Sequence, residues 1–128
     1  MRKRLLIVED DPDILEAVAD VLVDDGYLVT PLRSAEAAMA LLADPATPAF
    51  AGIVLDNLMP GLTGVEFIEK IARPDSALAL VPPILMITTN PDAVRTAELP
   101  TDVWILGKPI DIEKLIGLVG EITSFARA

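Results

Sequence analysis

The chain has 128 residues, 52% of them hydrophobic, which suits a single domain over residues 1–128 with one continuous core. Its formal net charge of −10 argues against binding to nucleic acid or to an anionic membrane, because both need clustered lysine and arginine. Cysteine and histidine are absent, which excludes disulfides, thiolate and imidazole metal sites and histidine proton transfer, and leaves carboxylates, hydroxyls and lysine for any chemistry.

The first apolar run, residues 5–8, ends at once in Glu9, Asp10 and Asp11. It is too short for a signal-peptide core or a membrane span, so we expect a soluble, cytoplasmic protein. Asp11 and Pro12 provide a helix cap and a first-turn proline. The apolar residues that follow at helical spacing predict the first helix. They are Ile14, Leu15, Val18, Val21 and Leu22.

The middle of the chain alternates between strand and helix patterns. Residues 27–32 are mixed in character and predict a strand nearer the sheet edge, and Ser34 can cap a second helix that runs to about residue 42. The continuous apolar run 53–55 predicts a buried strand that ends at Asp56. Thr63 and Glu66 have the spacing of a capping box and predict a third helix.

Two more buried strands are predicted for the apolar runs 84–87 and 103–106. Between them, Asn90 and Pro91 predict the start of a fourth helix, which Pro100 ends. A fifth helix is predicted from Asp111 to near the end of the chain. Five alternating strands and helices with right-handed crossovers predict an α/β fold, a parallel sheet covered on both faces.

Polar side chains follow the predicted strands where ligand sites of such sheets form. Glu9 and Asp10 follow the first strand, Asp56 the third, Thr88 ends the fourth and Lys108 comes shortly after the fifth. Because the strands are parallel, these groups are expected to meet at one edge. Three ionised carboxylates a few ångströms apart repel each other, so they need a cation, and Mg²⁺ prefers such oxygen ligands.

Each of these residues also has an ordinary structural interpretation. Acidic residues favour helix N-termini, an aspartate after a strand often forms a turn, and threonine is common in strands. Lys108 taken alone could be a surface lysine. The agreement of Glu9, Asp10, Asp56 and Lys108 at matching strand ends favours a shared site, and Asp11 is assigned as a helix cap outside it.

Four segments that span nearly the whole chain read, in order, LLIVEDDPDI, IVLDNLMPGLTGVEF, ILMITT and ILGKPI. They resemble the signature segments of bacterial response-regulator receiver domains, the CheY-like family. The resemblance implies a flavodoxin-like, doubly wound sheet of five parallel strands in the order 2-1-3-4-5. It also implies a signalling switch of two-component or phosphorelay systems that is phosphorylated with Mg²⁺ and is not a turnover enzyme.

The resemblance assigns roles to particular residues. It makes Asp56 the phosphoacceptor, Glu9 and Asp10 the acidic metal pair, and Leu58 the residue whose backbone carbonyl completes the metal shell. It also makes Thr88 the hydroxyl that turns toward the phosphoryl group. Lys108 is assigned as the lysine that the family carries at this position. It precedes Pro109, and the peptide bond of this Lys-Pro step is typically cis in the family.

The implied partners are a sensor histidine kinase or a histidine phosphotransfer protein, and an output protein of unknown identity. The implied output surface consists of the fourth helix, the fifth strand and the fifth helix, and it also allows a homodimer. One departure from the family is Ile105, which stands where an aromatic switch residue is usual, with Trp104 beside it on the opposite strand face.

Two alternatives stay open at this point. A pseudo-receiver would use the same fold as an interaction module without phosphorylation, and would be expected to lack an acidic residue or the lysine. A Mg²⁺-dependent phosphatase with an aspartate nucleophile usually carries a second aspartate two residues later, where this chain has Leu58.

Overall fold

A computed structural model describes residues 2–76 and 81–125. It contains five β-strands and four α-helices within those residues. The strands are β1 Arg4–Val8, β2 Leu28–Leu32, β3 Gly52–Asp56, β4 Ile84–Thr88 and β5 Val103–Gly107. The helices are α1 Pro12–Asp24, α2 Ala35–Ala43, α3 Gly64–Ile71 and α4 Ile112–Thr123.

All neighbouring strands are parallel, in the order β2-β1-β3-β4-β5, which confirms the predicted fold class and strand order. Two of the three inner strands, β3 and β4, are buried at every position, as their continuous apolar runs predict. The mixed strand β2 is an outer strand, also as predicted. The prediction of a buried strand at 103–106 was wrong, because β5 is an outer strand in which only Leu106 is buried.

Alternate residues of the strands enter two core layers, one on each face of the sheet. The first core layer, against α2 and α3, includes Leu6, Leu55 and Met86. The second core layer, against α1 and α4, includes their strand neighbours Ile7 and Val54. Because β1 and β3 contribute to both layers, their carboxyl ends are fixed from both faces of the sheet.

The predicted helix starts are present. Asp11 accepts a hydrogen bond from the backbone N–H of Asp13 at 2.9 Å, and Ser34 caps α2. Thr63 and Glu66 form the reciprocal capping box at the start of α3, and Asp111 caps α4. These caps satisfy backbone donors that a helix leaves unpaired at its first turn.

The fourth helix that we predicted after Asn90 and Pro91 is not an α-helix. The segment holds two single-turn 3-10 helices, Pro91–Ala93 and Thr96–Glu98, separated by extended backbone at Val94. Asn90 makes no side-chain cap, and Leu99 is extended before Pro100, a position where proline disfavours helical backbone. Without a side-chain cap at its start, and with extended backbone at Val94 and Leu99, the segment forms only isolated turns. The predicted fifth helix is therefore α4.

No helix among residues 2–76 and 81–125 combines the length and apolar character that crossing a membrane requires.

Candidate functional site

The strand ends bring the predicted polar side chains together at the carboxyl edge of the sheet. Glu9 and Asp10 directly follow β1, Asp56 ends β3 and Thr88 ends β4. Lys108 directly follows β5, and its side chain reaches back over β3. The contacts among the three carboxylates and the Lys108 ammonium confirm the expectation drawn from the parallel order. Thr88 lies at the same edge because it ends β4, and the roles assigned to all five residues stay predictions.

Three carboxylates form the centre of this site. One oxygen from each of Glu9, Asp10 and Asp56 lies within 4.8 Å of the others. Glu9 and Asp56 are buried, with 4% and 5% of their surfaces exposed. Burial raises the pKa of Glu9 from 4.5 to about 8, helped by a hydrogen bond with Asp56 and by the charge of that carboxylate. Without a cation, Glu9 therefore holds a proton near neutral pH.

Lys108 supplies the positive charge opposite the carboxylates. Its Nζ lies 3.4 Å from each carboxylate oxygen of Asp56 and 3.8 Å from Oε1 of Glu9. The Lys108–Pro109 peptide bond is cis, as the resemblance implied, and the Lys108 N–H donates to the carbonyl of Thr88 at 2.8 Å. The side chain is 21% exposed, so the ammonium remains reachable from solvent.

The carboxylate cluster fits a hard divalent cation. One ammonium faces three carboxyl groups, which leaves negative charge uncompensated when all three are ionised. Oε2 of Glu9 is buried and has no hydrogen-bond partner among the residues that the structure describes. Since a buried polar atom without a partner is costly, a cation bound by these oxygens would satisfy both needs.

The loop after Asp56 is held at both of its ends by Asn57, a residue for which the sequence analysis assigned no role. Asn57 Oδ1 accepts from the Val65 N–H at 3.3 Å, and its carbonyl accepts from the Gly64 N–H at 2.9 Å. A Cβ on Gly64 would lie 2.9 Å from Cα of Asn57, so no larger residue fits there without movement. The turn-forming character of asparagine is the only sequence signal that points to this contact.

Leu58 and Thr88 are placed differently with respect to solvent. The Leu58 side chain is 58% exposed, and its N–H donates to Asp56 Oδ1 at 3.2 Å. The role of the Leu58 carbonyl as a metal ligand stays a prediction. Thr88 is 2% exposed, and its hydroxyl oxygen accepts from the Asn90 N–H at 3.1 Å.

The residues at the usual aromatic switch position lie on opposite faces of β5, as predicted. Ile105 packs against the first core layer and Trp104 against the second. The Trp104 ring meets the Phe125 ring edge to face, with centroids 5.1 Å apart. Trp104 is therefore a packing residue at the end of α4, remote from the face on which Ile105 lies.

Two grooves differ in their relation to the carboxylates. An apolar groove of about 300 Å³ lies beside Lys108, between α1 and the start of α4. Its lining includes Ile14, Ile110 and Ile112. A larger groove of about 440 Å³ lies beside Phe50 and Phe125, near the residues that precede β3 and β4. It is remote from the carboxylates, so its size does not make it the functional site.

Comparison with known proteins gives one consistent result. The family model for the response regulator receiver domain matches residues 5–119. The phosphate regulon transcriptional regulatory protein PhoB of Escherichia coli is 30% identical over 122 residues, which cover 93% of this chain and 51% of PhoB. The response regulator receiver protein CpdR of Brucella abortus is 27% identical, over 89% of this chain and 91% of CpdR.

Solved structures give the same picture of the fold. The chemotaxis response regulator CheY4 of Vibrio cholerae has a TM-score of 0.77 and 28% identity, over 95% of this chain and 99% of CheY4. The non-phosphorylated HemR receiver domain of Leptospira biflexa has a TM-score of 0.80 and 25% identity, over 99% and 98% of the two chains. This chain spans about half the length of PhoB and of several other curated relatives.

Proposed function

The chain belongs to the response regulator receiver domain family of two-component systems, and from that premise we propose that it works as a Mg²⁺-dependent switch phosphorylated on Asp56. The observation that carries the proposal is the cluster of Glu9, Asp10 and Asp56 within 4.8 Å, with the Lys108 ammonium 3.4 Å from Asp56. Residues 1–128 are proposed to act as one receiver unit.

The proposed metal ligands are side-chain oxygens of Glu9, Asp10 and Asp56 and the backbone carbonyl of Leu58. When bound, Mg²⁺ supplies positive charge that keeps the carboxylates ionised and neutralises charge on phosphoryl oxygens. Two features of Glu9 support this assignment. Its Oε2 has no hydrogen-bond partner among the described residues, and its raised pKa means that ionisation is unfavourable, so a bound cation would compensate for both.

In the proposed reaction, an Asp56 carboxylate oxygen attacks phosphorus of a phosphohistidine on the partner. The new O–P bond forms while the P–N bond breaks, and the leaving imidazole nitrogen takes a proton from solvent. The Lys108 ammonium stabilises the negative charge of the transferring group. The Thr88 hydroxyl, which now accepts from the Asn90 N–H, would turn to donate to a phosphoryl oxygen.

The conformational signal is proposed to run through backbone contacts of Thr88. Its carbonyl accepts from the Lys108 N–H, so a movement of Thr88 is felt at the end of β5. The proposed output surface consists of β5, α4 and the two 3-10 turns. These turns stand where the resemblance implied a fourth helix. This surface would bind an output protein or a second copy of the chain.

The proposed phosphodonor is a sensor histidine kinase or a histidine phosphotransfer protein. The apolar groove beside Lys108 supports this choice, because Ile14, Ile110 and Ile112 offer a partner helix an apolar contact next to the acceptor. Nucleic acid and membranes are not proposed partners of this domain, given its net charge of −10. A cytoplasmic location is part of the same proposal.

A signalling switch is proposed in preference to a turnover enzyme or a pseudo-receiver. The acidic pair, the acceptor and the lysine are all present and adjacent, so the loss expected of a pseudo-receiver has not occurred. The residue two positions after Asp56 is Leu58, which cannot serve as the acid–base group of an aspartate-dependent phosphatase.

The test is incubation of the chain with acetyl phosphate and Mg²⁺, followed by intact-mass measurement. We expect one phosphoryl adduct for the wild type, and none for Asp56→Asn or for the wild type with excess EDTA. A wild-type chain that gains no adduct under these conditions would falsify the proposal and favour the pseudo-receiver. An adduct that persists in Asp56→Asn would place the acceptor elsewhere.

A further inference from the structure

One peptide group links the start of α3 to the carboxylate of Asp56. It is the peptide between Asn57 and Leu58. Its N–H donates to Oδ1 of Asp56 at 3.2 Å, and its carbonyl accepts from the Gly64 N–H at 2.9 Å. Because a peptide group is planar, its N–H and its carbonyl cannot turn independently. A shift of Gly64 therefore changes the hydrogen bond that Asp56 accepts.

The side chain of Asn57 holds the same helix start. The N–H groups in the first turn of a helix need hydrogen-bond acceptors from outside the helix. In α3 the carbonyl of Asn57 accepts from Gly64, and its Oδ1 accepts from Val65 at 3.3 Å. The hydroxyl of Thr63 accepts from the Glu66 N–H at 3.1 Å. Asn57 thus binds the first two donors of α3, and Thr63 binds the third.

Asn57 is itself attached to the sheet. Its N–H donates to the carbonyl of Ile87 in β4 at 3.0 Å. A Cβ on Gly64 would lie 3.1 Å from Oδ1 of Asn57 and 3.2 Å from the carbonyl oxygen of Asp56, so the helix start packs closely against both residues. Asn57 therefore connects the fixed end of β4 to the start of α3.

The other contacts of this loop do not set the direction of its peptides. Met59 and Leu62 are each 8% exposed and belong to the first core layer. Apolar burial is not directional, so these two side chains hold the loop on the core without orienting a particular N–H. The Leu58 side chain is mostly exposed and adds little. The orientation of the Asn57–Leu58 peptide therefore depends on the hydrogen bonds of Asn57.

We propose that Asn57 is a positioning residue of the carboxylate site, because its side chain fixes the start of α3 and thereby the peptide that orients Asp56. The same contact fixes Leu58, whose carbonyl is a proposed metal ligand. The proposal rests on the function proposed for Asp56 and extends it to a side chain that contacts neither the metal nor the phosphoryl group. Losing the Asn57 side chain should weaken Mg²⁺ binding, whereas losing another cap of α3 should not.

The test compares Asn57→Ala with Thr63→Ala in the full chain. Each variant removes one side-chain cap of α3, a modest loss that should leave both folded. In isothermal titration, Asn57→Ala should bind Mg²⁺ about tenfold more weakly, the lower end of the usual cost of losing support for a metal ligand. Thr63→Ala should bind like the wild type. In EDTA, amide hydrogen exchange followed by NMR should be faster at Leu58 in Asn57→Ala and unchanged there in Thr63→Ala.

Asn57→Asp is the rescue variant, because its carboxylate can accept from Val65 and is favourable at a helix N-terminus. It should restore slow exchange at Leu58 and bind Mg²⁺ at least as tightly as the wild type. Restored affinity with fast exchange at Leu58 would be an effect of charge and would overturn the proposal. Equal Mg²⁺ affinities of Asn57→Ala and Thr63→Ala would overturn the role of Asn57 alone. A wild type that binds no Mg²⁺ would overturn the function proposed for Asp56 and this proposal with it.

Discussion

At the carboxyl edge of the sheet, Glu9 and Asp56 are 4% and 5% exposed and share one lysine. In the segment between β4 and β5, by contrast, every residue from 89 to 93 is exposed. The first region is held from both core layers and contains buried charges that depend on one another. The segment between β4 and β5 is held by two 3-10 turns and by Val94 and Leu99 packing against the first core layer.

This difference indicates where changes in the chain have large consequences. Buried charges in contact cannot be altered singly without leaving a partner uncompensated. An exposed segment outside the sheet has few contacts that a substitution could break. Substitutions at the carboxyl edge should therefore change chemistry and stability strongly, and substitutions of the exposed residues between β4 and β5 should change them little.

The largest effect is expected for Lys108→Met. Removing the ammonium 3.4 Å from Asp56 should slow phosphorylation by acetyl phosphate about 10²–10³-fold, the usual cost of losing one charge-stabilising group. The measurement is the time course of adduct formation at fixed Mg²⁺, with Lys70→Met on the exposed side of α3 as the control. A Lys108→Met rate close to that of the wild type would show that the ammonium is not part of the reaction.

The next effect is a dependence of stability on pH without Mg²⁺. The folded-state pKa of Glu9 is raised from 4.5 to about 8, so protonated Glu9 favours the folded state. This contribution is complete below pH 4.5 and is lost as the pH rises toward 8. Urea denaturation in EDTA should therefore give lower stability at pH 8 than at pH 5.5, and added Mg²⁺ should restore it at pH 8.

The control for this prediction is Glu9→Gln, which cannot ionise. Its stability should fall less between pH 5.5 and pH 8 than that of the wild type, and should respond less to Mg²⁺. An equal loss of unfolding free energy between pH 5.5 and pH 8 in the two proteins would mean that Glu9 does not cause the pH dependence.

A smaller effect is expected where the acceptor loop closes. Gly64→Ala places a Cβ 2.9 Å from Asn57 Cα and should lower the free energy of unfolding by about 1–3 kcal/mol. Gly117→Ala in α4 is the matched control, because nothing lies within 4 Å of its added Cβ. That variant should gain about 0.5–1 kcal/mol, since alanine favours a helix interior. Equal effects in urea denaturation would contradict the close contact at Gly64.

The smallest effect is expected for Pro100→Ala in the exposed segment before β5. The free energy of unfolding should change by less than about 0.5 kcal/mol, and the phosphorylation rate should stay at the wild-type value. A large loss of stability would show that this segment is as strictly determined as the carboxyl edge.

Most of the fold could be predicted from local patterns, because the inner strands are continuous apolar runs and the helix starts carry their own caps. The convergence of Glu9, Asp56 and Lys108 could also be predicted, since parallel strands end at one edge. The helix predicted from Asn90 and Pro91 was wrong because these residues signal only a helix start. Whether a helix follows also depends on Pro100 and on the packing of the segment against the core.

Other features depend on distances that a sequence does not contain. The pKa of Glu9 follows from its burial and its separation from Asp56, which are known only after folding. The contact between Asn57 and Gly64 depends on the path of the loop between them. Neither residue type specifies that path on its own.

The central claim is that the carboxylates at the strand ends form one Mg²⁺ site, and isothermal titration with Mg²⁺ tests it most directly. We expect the wild type to bind one ion, and Asp10→Asn to bind it at least about tenfold more weakly because a ligand charge is lost. Asp11→Asn, which changes only an exposed helix cap that asparagine also forms, should bind like the wild type. Equal affinity of the wild type and Asp10→Asn would contradict the account.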